Sequence, residues 1–123
     1  MAAQADLRTD LRTDLRRSEQ LELSHWISPA GVAVVQLGGE LDIVSAEAAV
    51  AYVMGVIDSH GGPVTADLSA LDFCDARGLA ALVRMADYAE LTDCPFRLTS
   101  PQPSLVKIMR ITGLHHRFLT TGS

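Results

Sequence analysis

Short apolar runs alternate with longer helical segments from about residue 21 onwards, and this alternation most limits the possible folds. The predicted strands are Leu21–Ile27, Val32–Leu37, Val64–Leu68, Pro95–Thr99 and Arg117–Thr121. Three helices are predicted to follow the N-caps Ser45, Asp75 and Ser104, with ends near His60, Leu91 and Gly113. In the order β-β-α-β-α-β-α-β, the first two strands form a hairpin, and strands separated by helices favour parallel pairing. The sequence therefore predicts one α/β domain with a mixed sheet covered by helices.

Residues 6–17 repeat the pattern Asp-Leu-Arg-Thr with a period of four. A helix would stack like charges at i,i+4, whereas a strand would place leucine and threonine on one face. Neither state is clearly favoured by the pattern. We predict a mobile N-terminal tail (residues 1–18) and a domain (residues 19–123), with a partner-contact segment as the alternative role of the tail.

The charge balance limits the class of partner. The chain of 123 residues carries ten Lys+Arg against fifteen Asp+Glu, a formal net charge of −5. This balance argues against a nucleic-acid partner, which requires a positive face. No apolar run approaches the ~20 residues that span a bilayer, and the N-terminal region is charged, so we predict no membrane insertion and a cytoplasmic protein. Homo-oligomerisation is left open.

The two cysteines, Cys74 and Cys94, are too few for a disulfide framework and are predicted to be reduced thiols. Cys74 stands close to a predicted helix N-terminus, which could activate its thiol. A metal site formed by Cys74, Cys94 and the pair His115-His116 is conceivable but lacks ligand spacing, so no metal is predicted.

Signatures of catalysis are missing from the sequence. It has no phosphate loop ending in Gly-Lys-Ser/Thr, no Gly-x-Ser-x-Gly elbow and no His-Glu-x-x-His helix. The only lysine, Lys107, falls inside a predicted helix, which argues against a phosphoacceptor receiver domain. We therefore predict a binding module without a cofactor, with a small enzyme or nucleotide binder as the weakest alternative.

Two connections stand out because function in α/β sheets gathers where strands end and helices begin. The first is Gly38–Ser45, in which Gly38 and Gly39 are predicted to end the second strand. The second is Phe73–Gly78, where Asp75 suits a helix N-cap but Arg77 and Gly78 do not suit a first turn. A cation there opposes the helix dipole, and glycine costs ~1 kcal/mol relative to alanine. Such local violations are typical of functional sites, although a solvated arginine and a closely packed glycine would explain them equally well.

The two connections together resemble the signatures of a known family. Gly39-Glu40-Leu41-Asp42 with Ser45-Ala46-Glu47, and Ala66–Leu79 around Asp75-Ala76-Arg77-Gly78, are similar to the STAS domain, and most to bacterial anti-sigma factor antagonists. The resemblance covers about residues 19–123. It implies a non-catalytic protein that binds an anti-sigma factor with a kinase-like fold and so releases a sigma factor. It also implies a partner-binding site at Asp42, Asp75, Ala76, Arg77 and Gly78.

The sequence departs from the family pattern at the position that controls binding. The resemblance implies a turn of the form Asp-Ser-Ser-Gly, whose second serine is phosphorylated by the anti-sigma factor to break the complex. Here Arg77 takes that position, and an arginine has no hydroxyl and carries the opposite charge to phosphoserine. We therefore expect binding without the usual phosphorylation switch, and Ser45 and Ser69 are weak alternative acceptors. The alternative function is an accessory subunit of a lipid-transport ATPase, on which STAS-like domains also dock.

Overall fold

The computed structural model describes residues 20–118, which form one sheet and four helices. The five strands are β1 (Leu21–Ile27), β2 (Ala33–Leu41), β3 (Val64–Asp67), β4 (Leu71–Cys74) and β5 (Phe96–Thr99). The helices are α1 (Ala46–His60), α2 (Ala76–Leu91), α3 (Pro103–Thr112) and the short α4 (His115–Phe118). The predicted tail and boundary fall on residues 1–19, which lie outside the described residues.

The sheet is mixed, as the sequence predicts. β1 pairs with β2 antiparallel, and β2 pairs in parallel with β3 through its first half and with β4 through its second half. β5 pairs in parallel with β3 and completes the order β1-β2-β3-β5. β3 and β4 are thus two short segments that follow the same side of one long strand.

One face of the sheet carries the core. Side chains at Val35, Ala66 and Leu98 are fully buried, whereas their neighbours Gln36 and Asp67 on the other face stay half-buried. Helices α1 and α2 contact each other and the sheet. The core therefore lies between these helices and one sheet face, which holds the ends of β2 and β4 in fixed positions.

The second strand does not stop at its glycines, contrary to the prediction. β2 continues through Gly38 and Gly39 to Leu41, and its pairing with β4 shifts register after Gly39. Gly39 has a φ of 94°, and a side chain there would collide with the carbonyl of Gln20. The glycine therefore allows an irregularity within the strand rather than ending it.

Three further predictions of secondary structure are corrected. The connection before Asp75 contains the strand β4, which was not predicted. Helix α3 begins at Pro103, whose fixed φ suits a first helical residue, so Ser104 is not its cap. The predicted last strand is wrong at Arg117 and Phe118, which end α4, and its residues 119–121 lie outside the described residues.

None of the helices described between residues 20 and 118 is both long and apolar enough to cross a membrane.

Candidate partner-binding site

The two connections singled out in the sequence meet at the carboxyl ends of β2 and β4. Leu41 pairs with Cys74 at the ends of these strands, and the backbone N–H of Asp75 donates to the Leu41 carbonyl at 3.4 Å. The β2–α1 loop (residues 42–45) and the first turn of α2 therefore leave the sheet side by side. This juxtaposition is expected when two parallel strands end together.

Asp75 is the N-cap of α2, as predicted. Its Oδ1 accepts hydrogen bonds from the backbone N–H groups of Arg77 and Gly78, both at 2.9 Å. The carboxylate therefore satisfies two of the free amides of the turn and complements the helix dipole. Both bonds are made by Oδ1 within the turn, so Asp75 shapes the site.

Gly78 is required by close packing. A Cβ at this position would overlap the Leu41 carbonyl and lie 2.8 Å from the Cys74 sulfur. The first turn of α2 therefore rests directly on the ends of β2 and β4, which accounts for a residue that weakens the helix itself. Of the two readings of Gly78 that the sequence leaves open, close packing is the one that the structure supports.

Arg77 is exposed, and its guanidinium makes no hydrogen bond or ion pair with any residue between 20 and 118. Ala76 beside it is also exposed. An arginine at a helix N-terminus without a counter-charge is electrostatically unfavourable by up to ~1 kcal/mol. The turn therefore presents one uncompensated positive charge to solvent.

Asp42 and Ser45 form a hydrogen-bonded network within the β2–α1 loop. Asp42 Oδ1 accepts from the backbone N–H groups of Val44 at 2.9 Å and Ser45 at 3.2 Å. Ser45 Oγ donates to the Glu40 carbonyl at 2.8 Å and accepts from the Asp42 N–H at 3.0 Å. Ser45 is the N-cap residue of α1, as predicted, but its side chain makes no capping hydrogen bond to the helix.

The two alternative acceptor serines differ in access. The Ser45 side chain is used within the loop, and the residue is only 3% exposed. Ser69 is exposed in the connection between β3 and β4, where its N–H donates to Asp67 Oδ1 and its carbonyl accepts from Gln102 Nε2. A kinase could therefore reach Ser69 without opening the fold, but not Ser45.

Three apolar side chains at the site were missed by the sequence analysis. Ile43 is 59% exposed, Val44 is 71% exposed and Phe73 is 48% exposed. The first two follow β2, and Phe73 belongs to β4 just before the α2 turn. The sequence signal that could have revealed them is the presence of apolar residues beyond the end of a predicted strand. The site thus combines exposed apolar groups with the free charge of Arg77.

Both thiols are free, in agreement with the prediction. Burial, reinforced by the nearby Asp75 carboxylate, raises the pKa of Cys74 to about 12. The predicted activation of this thiol is therefore wrong, because desolvation outweighs the helix N-terminus. Within residues 20–118, no three histidine, cysteine or acidic side chains gather in a way that could hold a metal ion.

Comparison with known proteins identifies the fold and its relatives. A family model described as "Mlab, STAS domain" matches residues 27–121. A comparison with curated proteins gives no significant match.

Solved structures similar to this chain include several anti-sigma factor antagonists. One from Mycobacterium paratuberculosis is 28% identical with a TM-score of 0.68, over 85% of this chain and 88% of that one. A serine-to-glutamate variant of RsbS from Moorella thermoacetica is 25% identical with a TM-score of 0.64, over 77% and 80% of the two chains. The phosphorylated form of the Bacillus cell fate determinant SpoIIAA shares the fold at 20% identity, with a TM-score of 0.60 over 79% and 88%.

Proposed function

Because the chain belongs to the STAS domain family, we propose that it is an anti-sigma factor antagonist that binds an anti-sigma factor and so releases a sigma factor. The partner has a kinase-like fold, the interaction takes place in the cytoplasm, and this chain performs no catalysis. The relatives described as antagonists, one of them 28% identical over most of both chains, support this function.

The observation that carries the proposal is the free guanidinium of Arg77 on a rigid, capped turn. Arginine suits bidentate recognition of a carboxylate, and a charge at an interface mainly sets partner choice and association rate. An acidic group on the anti-sigma factor would supply the counter-charge that Arg77 does not find among residues 20–118.

Binding is expected to be independent of phosphorylation. Arg77 provides no hydroxyl at the position that the family uses as acceptor, and Ser45 is buried and engaged in the loop. Ser69 remains exposed but lies outside the α2 turn. The protein would therefore act as an antagonist whose activity is controlled by its amount rather than by a kinase.

Native mass spectrometry of the purified chain with the anti-sigma factors of its own genome, in the presence of ATP, tests this function. We expect a complex whose STAS subunit gains no phosphoryl mass. Arg77→Glu should weaken the complex at least about tenfold, because it places like charges together at the interface.

The control is Arg97→Glu, which reverses another exposed charge, on strand β5. This variant should bind as the natural protein does. Phosphoryl transfer to the natural protein would contradict the phosphorylation-independent mechanism and direct attention to Ser69. Absence of a complex with every anti-sigma factor would contradict the function.

The second candidate is an accessory subunit of a lipid-transport ATPase. The family resemblance includes this role, and the description of the matching family model names no anti-sigma partner. Co-purification with permease and ATPase subunits, without affinity for anti-sigma factors, would favour this candidate. Genes for a permease and an ATPase next to this gene would point the same way.

A further inference from the structure

The β2–α1 loop exposes two aliphatic side chains to solvent, and its backbone is fixed by hydrogen bonds within the loop. Ile43 and Val44 are the exposed tip, while the N–H groups of Asp42, Val44 and Ser45 are all hydrogen-bonded within the loop. The Ala46 N–H also donates to the Asp42 carbonyl at 2.8 Å, which joins the loop to α1. The tip therefore needs little ordering before it can bind, which lowers the entropic cost of association.

The Asp42 carboxylate is occupied by the loop. Its Oδ1 accepts the two backbone bonds and lies 3.4 Å from Ser45 Oγ, and its Oδ2 lies 3.4 Å from Gln20 Nε2. The loop thus engages Oδ1 fully, and Oδ2 has this one long contact. Asp42 therefore orients the tip, although the family resemblance implies a direct contact for it.

We propose that Ile43 and Val44 are the apolar anchor of the complex, and that Asp42 and Ser45 are positioning residues that hold the anchor in its binding conformation. This inference rests on the proposed function, since the occupant is the same anti-sigma factor. The matching surface of the anti-sigma factor is an apolar pocket beside a carboxylate. The pocket takes Val44 and Ile43, and the carboxylate pairs with Arg77.

The two parts of the site contribute to different steps. Removal of the two aliphatic side chains from water stabilises the bound state and slows dissociation, as is usual for buried anchors at the centre of an interface. The Arg77 charge acts mainly during the approach and in the choice of partner. Affinity therefore depends chiefly on the loop and selectivity on the α2 turn.

Binding kinetics with the anti-sigma factor test the anchor. Val44→Ser and Ile43→Ser should each raise the dissociation constant about tenfold or more, mostly through faster dissociation. Leu91→Ser is the matched control, because Leu91 is 82% exposed but ends α2, about 21 Å along the helix from Arg77. This control should leave both rate constants unchanged.

The positioning role of Asp42 is tested by two replacements and one double variant. Asp42→Ala removes the acceptor and should weaken binding, whereas Asp42→Asn keeps an oxygen acceptor and should restore most of the affinity. In the double variant Asp42→Ala, Val44→Ser, the loss of binding free energy should be smaller than the sum of the losses in the two single variants, since Asp42 acts through the tip. Urea unfolding of each variant shows whether the fold is retained.

The outcomes separate this inference from the proposed function. If Val44→Ser and Ile43→Ser bind normally while Arg77→Glu weakens the complex, the anchor is overturned and the function stands. Equal losses for Val44→Ser and Leu91→Ser would also overturn the anchor, because they would show no dependence on position. If the natural protein binds no anti-sigma factor, both are overturned.

Discussion

The two ends of the parallel strands are built differently. At the carboxyl end, Gly78 packs against backbone atoms of β2, and the cavity beside Cys74 and Phe73 has a volume of only about 10 Å³. At the opposite end, a cavity of about 310 Å³ is lined by residues that include Gly61, Cys94 and Pro95. Close packing thus lies beneath the end that carries the candidate site. A partner-binding surface benefits from rigid support, because less conformational freedom is lost on binding. The opposite end of the strands, with its larger cavity, has room to adjust.

The largest expected effect compares two glycines that stand in helices. Gly78→Ala places a Cβ into the Leu41 carbonyl and should lower the free energy of unfolding by about 3 kcal/mol. Gly55→Ala adds a Cβ in the middle of α1, where no atom lies within 4 Å, and should raise it by up to ~1 kcal/mol. Urea unfolding of both variants measures the difference. Equal effects would show that the carboxyl end is no tighter than an exposed helix face.

The next effect uses the two thiols, one near each end of the strands. Cys74 is buried with a pKa of about 12, and Cys94 is half-buried with a pKa that burial raises above its ordinary value. A thiol reagent should therefore modify Cys94 more slowly than a free cysteine, and Cys74 about a hundredfold more slowly still. Mass spectrometry of the time course identifies the modified residue. Modification of Cys74 first would reverse the assignment of the tight and loose ends.

The smallest expected effect concerns the stability that a surface ion pair contributes near the carboxyl end. Arg84 on α2 pairs with Glu47 in the first turn of α1 at 2.5 Å, and this hydrogen bond lowers the pKa of Glu47 from its ordinary value of 4.5. The stabilisation is present above pH 4.5 and is lost as the pH falls through the lowered pKa of the folded state. Both side chains are largely exposed, so the effect is small.

Thermal unfolding of the natural protein and of Glu47→Gln at several pH values measures this contribution. The two melting temperatures should differ slightly near neutral pH and converge in acid. A difference that grows towards acid pH would contradict the assignment of the stabilisation to this pair.

Much of the fold was predictable because its signals are local. The predicted bounds of α2 match those observed, since Asp75 provides a cap and an apolar face follows it. The strand β4 was missed because its four residues show no alternation and owe their conformation to pairing with β2. Helix α4 replaced the expected final strand at Arg117, which forms ion pairs with Asp87 and Glu90 of α2. Such distant contacts override local propensity.

The candidate site was predictable in part. The cap Asp75 and the unusual Arg77 follow from the helix start alone. The exposure of Val44 and the inward orientation of the Asp42 carboxylate depend on how the loop closes on itself. Ser45 illustrates the limit, because a serine before a helix fits both a cap and a loop network. Only the three-dimensional arrangement distinguishes these roles.

The contact between Gly78 and Leu41 has a mechanical consequence. The first turn of α2 rests on the backbone of β2, and separating them would break the contact between the Asp75 N–H and the Leu41 carbonyl, so we expect the turn and the sheet to move as one body. Amide protons of Gly78 and Leu79 should then exchange with solvent about as slowly as those in the middle of the sheet. A force applied through Arg77 is transmitted to the whole domain, and a bound partner would detach at the interface before the turn unwinds.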